Sequence, residues 1–433
     1  MKCKYFTGCI VLTFLIGCSN TNIQTDRAYK ELGRAEHFLL EGYPAYIVGI
    51  EKRDTKIRDD EYLPGLDSNL AYGKRFSVLS SSEQISKKRN KKYSSVTTGQ
   101  KKAMLVTQIT KNIPNQEYLY NAYEEDLDGV YNYERSFSEV DKMFNDLTDQ
   151  LNNKYTHILV MSMGWNNDQV ESLWRYKKIL KNLSSVADEK KEIFKPLVIA
   201  FTWPSAWATI SDSWLKRKIG HIFSYPNKAN DADEIGYTWA NWIVNYKLPI
   251  AIEDANLPDW ERPKIVLLGH SFGVRLLSRA LFSSDHLNSK YKSNSSVDLF
   301  LGLQGAVSGR RFVEKSGREG YPYSDFKSLP TKIVLTTSVN DKANPFAHYF
   351  TGASNVGAKQ GWRLANANPK VFKTETWIKG ASIDIPTDKV LMVDASSIVS
   401  KDEDLGLSAH NDVLDKEMGE LLWNFIRSLP QVE

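Results

Sequence analysis

Past residue 18 the chain has no cysteine: Cys3, Cys9 and Cys18 are all that its 433 residues contain. A disulfide framework and a cysteine-ligated metal site are therefore excluded from the body of the protein. An excess of one charge is also lacking, since 56 Lys and Arg face 52 Asp and Glu for a formal net charge of +4. Nucleic acid is not an indicated partner. Histidine is scarce, with seven in the whole chain, and no His or carboxylate cluster has the spacing of a catalytic metal site. No metal and no cofactor is expected. With 42% hydrophobic and 25% charged residues, the composition is that of a globular chain, long enough for one large domain or two ordinary ones.

Residues 264–277 organise what is there. Ile265 to Leu268 is a short, continuous apolar run that fits a strand buried on both faces, and Val274, Leu276, Leu277 and Leu281 fit a helix packed on it. Between them lies Gly269-His270-Ser271-Phe272-Gly273. A serine in so sharp a strand-to-helix turn is held in a strained conformation, and its neighbours two residues away must lack a Cβ for strand and helix to cross. Gly269 and Gly273 meet that need. The turn sets Ser271 at a helix N-terminus, where the Phe272 N–H faces a developing oxyanion. On these residues the chain resembles the α/β-hydrolase family, whose nucleophile sits on such an elbow.

The resemblance implies an α/β fold with a mostly parallel central sheet, helices on both faces, and a triad in the order Ser, Asp, His. Three histidines follow Ser271. His286 comes too early, and His348 falls in an inserted loop before the last strand. His410 follows that strand and precedes the closing helix, so it is the expected base. Asp341 ends the strand 332–339 beside Asn340 and Ala343 and is the expected acid. Asp394 is its rival, or a residue that holds a loop, and Asp298 is a poor third. His270 is expected to pack beneath the loop.

The second oxyanion donor in the family follows an earlier strand. Here Thr156 to Met163 runs apolar into Gly164-Trp165, and the Trp165 N–H is the candidate. Relatives usually carry His-Gly where this chain has Met163-Gly164. The donor is a backbone group, so it survives the change, while the histidine's bracing of the loop is lost. Trp203-Pro204-Ser205, after the strand Pro196 to Phe201, resembles the equivalent turn of a branch of bacterial α/β-hydrolases long catalogued only as a domain of unknown function.

Other elements follow from period and capping. Strands are expected at Tyr43 to Ile50, Ala103 to Thr110, Val297 to Leu303 and Lys389 to Asp394. Helices are expected at Ala28 to Leu40, at Phe137 to Leu151 after a Ser136 cap with Glu139 three residues on, at Gln169 to Leu183, at Asp233 to Tyr246 and at Val413 to Leu429. The Lys- and Ser-rich stretch Ser80 to Lys102 reads as a solvated loop. A tryptophan-rich stretch holds Trp207, Trp214, Trp239 and Trp242; its part outside the helix, Trp207 to Phe223, is either packing surface or a lid over the serine, and 206–232 is set aside as a possible lid insertion.

The N-terminus reads as an export signal, with Lys2 and Lys4 before the apolar run Cys9 to Ile16, a run too short to span a bilayer. Leu15-Ile16-Gly17-Cys18 resembles a bacterial lipobox, which implies cleavage after residue 17, lipidation of Cys18 and a membrane anchor. Ser19 resembles an outer-membrane sorting signal. The expected organisation is a signal over 1–17, an extension over 18–100 and the hydrolase domain over 101–433. The expected activity is hydrolysis of a small-molecule or lipid carboxylic ester, with an amide or thioester as the variant within enzymes. A catalytically silent envelope binding module is the reading from another class.

Overall fold

The computed structural model describes residues 40–55, 101–112, 117–122, 133–164, 167–205, 228–284, 287, 295–313, 323–341, 354–401 and 409–429. The signal, Cys18, the Ala28 helix up to residue 39, and residues 56–100, which include the Lys- and Ser-rich stretch from Ser80 to Gln100, lie outside them. So do Trp165, Trp207, Trp214, His286 and His348.

In chain order the strands are β1 (Ala45–Thr55), β2 (Lys101–Asn112), β3 (Glu117–Asn121), β4 (His157–Ser162), β5 (Pro196–Thr202), β6 (Lys264–His270), β7 (Leu299–Leu303), β8 (Lys332–Thr337), β9 (Phe372–Thr376) and β10 (Val390–Asp394). They form one ten-stranded sheet in the order β3-β2-β1-β5-β4-β6-β7-β8-β10-β9. β1–β2 and β2–β3 pair antiparallel, and every other neighbouring pair is parallel. This is a mixed α/β protein with a mostly parallel sheet. β1 corrects the expected boundary at 101, because it pairs with β5 inside the sheet (Ala45 opposite Val198 to Gly49 opposite Thr202) and so ties part of the expected extension to the main body.

The helices are α1 (Tyr133–Leu151), α2 (Gln169–Glu189), α3 (228–254), α4 (Phe272–Leu281), α5 (Lys359–Ala367) and α6 (Lys416–Ile426). Side chains of successive strand residues point to opposite faces, so β6 gives Ile265 and Leu267 to one core and Val266 and Leu268 to the other. α1, α3 and α4 cover the first face and α2 and α6 the second. Covering both faces is why these strands read as unbroken apolar runs.

Two local expectations are corrected. Ser136 lies inside α1 rather than at its cap, and its hydroxyl donates to Val106 O at 2.9 Å. Residues 228–232, assigned to a possible lid, open α3, a run with π-helical turns at Gly236–Ala240 and Ile243–Lys247. Its Trp239 and Trp242 are buried against Phe137, with ring centroids 5.0 and 5.2 Å away, so these two tryptophans are packing residues.

α3 also fastens the elbow helix. Asp233 accepts from Arg275 of α4 at 2.6 Å and from Arg311 at 3.0 Å, and it pairs with Arg279 at 3.4 Å. These guanidinium groups hold its carboxyl far below the usual carboxylate range against the opposing effect of burial.

Candidate active site

The strand order reverses around β4. From β4 the chain passes through α2 to β5 on one side, then returns through α3 to β6 on the other. The segments leaving β4 and β6 diverge to opposite faces of the sheet, and the carboxyl ends of such strands border a crevice. Gly164 lies just beyond the end of β4 and Ser271 just beyond the end of β6.

Ser271 has φ 55° and ψ −117°, a strained conformation for a residue with a Cβ. Its peptide is clamped from the loop after β7. Ser271 N–H donates to Leu303 O and Ala306 N–H donates to Ser271 O, each at 3.0 Å. Gln304 inside that clamp also has positive φ, 46°, and its N–H is held by Thr336 Oγ1 at 3.0 Å.

The elbow glycines are needed for contact. A Cβ added at Gly273 would lie 1.8 Å from Ser162 O, and one at Gly269 would lie 2.6 Å from Val274 N. At Gly164 it would meet Ser271 Cβ at 2.4 Å and Oγ at 2.9 Å, so the β4 loop passes directly over the serine.

His410 and Asp341, 69 residues apart, meet here. His410 Nδ1 lies 2.8 Å from Asp341 Oδ2, with the carboxylate fully buried and the imidazole side chain 14% exposed. A carboxylate only accepts, so the imidazole proton sits on Nδ1 and Nε2 is the basic nitrogen. The short 3₁₀ helix Ala409–Leu414 that carries His410 is anchored at its neighbours. Asp412 Oδ2 accepts from the N–H groups of Ser400 and Lys401 at 2.9 Å, and Asn411 Oδ1 accepts from Arg175 at 2.8 Å.

His270 is buried, as expected of a packing residue, and it also bonds to its neighbour His410. Its Nε2 lies 3.0 Å from His410 O and the two rings are 4.6 Å apart. Burial first, then the nearness of His410 and Arg175, pushes its pKa well below the ordinary histidine value, so it stays neutral.

The rival acids have other work. Asp394 accepts from the backbone N–H of Ser396 at 3.0 Å and from its hydroxyl, closing the turn after β10. Asp298 accepts from Ile265 N–H at 2.8 Å at the start of β6, the end of the sheet away from the serine.

Phe272 is buried in the first turn of α4, where its N–H points out of the helix start. Trp165, the other candidate donor, lies outside the described residues, but both sides of it are fixed. Met163 N–H donates to Tyr176 Oη at 2.8 Å, Trp203 Nε1 donates to Met163 O at 3.1 Å, and Asn167 Nδ2 donates to Gly164 O at 2.9 Å. Among the described residues no group of three or more His, Cys, Asp or Glu is placed to hold a metal ion.

No family model, curated protein or solved structure matches this chain. The chemistry therefore rests on the side chains themselves. A strained serine, a glycine loop lying over it, and a histidine polarised by a buried carboxylate are the parts that activate a hydroxyl as a nucleophile.

Proposed function

We propose that this chain has the α/β-hydrolase fold and is a serine hydrolase that cleaves a carboxylic ester through an acyl-enzyme on Ser271. The observation that carries the reading is the 2.8 Å pairing of His410 Nδ1 with buried Asp341, packed against the residue before a strained serine. A serine hydroxyl is a weak nucleophile at neutral pH and needs such a base.

In the first half-reaction Ser271 Oγ attacks the ester carbonyl while His410 Nε2 takes its proton. Asp341 steadies the imidazolium, and the backbone N–H groups of Phe272 and Trp165 hold the oxyanion. His410 then gives the proton to the departing alkoxide. Water, activated by the same nitrogen, attacks the acyl-enzyme, and the carboxylic acid leaves as Ser271 regains its hydrogen.

Lipidation of Cys18 would hold this chemistry at a bacterial outer membrane, next to lipid esters. Met163, standing where a bracing histidine is usual, is the feature that would favour a silent binding module. Tyr176, Trp203 and Asn167 brace the loop instead, which takes that support away. The test is hydrolysis of p-nitrophenyl esters of graded acyl length by the full chain and by Ser271→Ala. Loss of about 10,000-fold or more in kcat supports the reading; full hydrolysis by Ser271→Ala contradicts it.

A further inference from the structure

Trp203-Pro204-Ser205 stands out in the sequence, yet the mechanism just given uses none of it. Trp203 and Ser205 are buried at the carboxyl end of β5, beside the loop that leaves β4. The polar contacts described between the turn and that loop fall on the loop's backbone. Trp203 Nε1 donates to Met163 O at 3.1 Å; Asn167 N–H donates to Ser205 Oγ at 3.2 Å; and Ser205 Oγ donates to Asn167 O at 2.7 Å. The serine hydroxyl thus spends its proton on the C=O and a lone pair on the N–H of one residue, Asn167, an arrangement that alanine cannot reproduce.

The turn is itself held. Ser205 N–H donates to Trp203 O at 2.6 Å, and the buried Lys228 at the start of α3 donates to Pro204 O. On the far side, Tyr176 Oη takes the Met163 N–H and donates to Phe201 O at 2.6 Å, so β5 also fixes the loop through a helix side chain. Met163 offers no polar side-chain group to do this from within. The loop so held is the one whose Gly164 would touch Ser271 Oγ if it bore a single extra carbon.

We propose that Trp203 and Ser205 are positioning residues for the reaction at Ser271, fixing the backbone at Met163 and Asn167, on either side of the Gly164 that lies over the nucleophile. The inference rests on the serine-hydrolase reading. A loop held to a few tenths of an ångström is what electrostatic stabilisation of a transition state demands, and a shift of about 1 Å can cost roughly 100-fold. Loosening the loop therefore lowers kcat and leaves substrate binding, made elsewhere in the crevice, nearly unchanged.

The experiment compares full-length wild type, Trp203→Phe, Ser205→Ala and Ser205→Thr. It measures kcat and KM on an ester, the inhibition constant of an alkyl trifluoromethyl ketone, and the folded fraction by near-UV circular dichroism. Expected is a fall of about 10- to 100-fold in kcat for Trp203→Phe and Ser205→Ala, with KM within about twofold. The inhibition constant of the ketone, which binds as a tetrahedral adduct, should rise by a similar factor, and Ser205→Thr should recover most of the loss. Wild-type kcat in both variants, or a loss that disappears when activity is divided by the folded fraction, overturns the proposal. A wild-type chain with neither hydrolysis nor a covalent adduct at Ser271 removes the serine-hydrolase reading, and this inference falls with it.

Discussion

His270 Nε2 lies 3.0 Å from the backbone oxygen of His410, and the two imidazoles are 4.6 Å apart. The oxygen accepts, so Nε2 carries the proton of a neutral His270, whose Nδ1 is buried with no hydrogen-bond partner among the described residues. A second positive charge beside His410 would oppose formation of the imidazolium that the mechanism needs. Burial and the neighbouring charges keep His270 neutral, and its N–H sets the height of the turn that carries the base. His270→Phe should therefore lower kcat/KM by about 10-fold, as expected for a residue acting through position, and far less than His410→Ala does. A loss in His270→Phe as large as that in His410→Ala would make His270 the base.

Asp341 and Asp394 both end strands, and their contacts separate them. Asp341→Asn should lower kcat by roughly 1,000- to 10,000-fold, because an amide facing His410 Nδ1 no longer favours the tautomer with a basic Nε2. Asp394→Asn, at a side chain whose described bonds go to the Ser396 turn, should keep kcat within about threefold. Steady-state kinetics on one ester decides between them, and the reverse ranking would transfer the acid role to Asp394.

The glycines around the serine should fail in different ways. Gly273→Ala drives a carbon to 1.8 Å from a backbone oxygen of β4, which cannot yield cheaply, and a loss on the order of 3 kcal/mol in unfolding free energy is expected. In Gly164→Ala the added methyl meets the Ser271 side chain itself, so reaction at Ser271 should stop even in folded protein. Urea unfolding and ester hydrolysis measured together separate the two; normal hydrolysis by Gly164→Ala would show that the loop does not lie over the nucleophile.

Two buried histidines make the fold sensitive to acid. At the start of β4, His157 packs between Phe194 and Trp423, and burial chiefly, with Lys264 nearby, lowers its pKa to about 4. In the unfolded chain a histidine titrates near 6.5, so below that pH the unfolded state binds the extra proton. The stability contributed by neutral His157 is complete above about pH 6.5 and is lost as pH falls toward about 4. His270 adds to the loss in the same direction. Each such group steepens the decline by up to about 1.4 kcal/mol per pH unit. Chemical denaturation between pH 7 and 4.5 should show a shallower decline for His157→Phe than for wild type; parallel curves would mean that His157 is not held neutral.

The sheet centre was legible and its edges were not, for one physical reason. β4 to β8 and β10 are covered on both faces and show as apolar runs, whereas β9 is Phe-Lys-Thr-Glu-Thr and only Phe372 is buried. β1 hides differently: its first half is apolar, but Glu51, Lys52, Arg53 and Asp54 follow, which disguises a strand of the same sheet as part of an extension. At the site, Ser271, Asp341 and His410 show through their order along the chain and their places after strands. The contacts of His270, Tyr176 and Ser205 do not, although Ser205 belongs to a turn that stands out in the sequence. Their partners His410, Met163 and Asn167 are 140, 13 and 38 residues away, and no local pattern marks contacts that only the closed sheet creates.

The most direct measurement is reaction of the folded full-length chain with a fluorophosphonate, read by intact mass and by mapping the modified peptide. One adduct on Ser271 is predicted, absent in Ser271→Ala and slowed by at least about 1,000-fold in His410→Ala. A folded wild type that takes no adduct, or takes it equally well without His410, would contradict the assignment of Ser271 as an activated nucleophile.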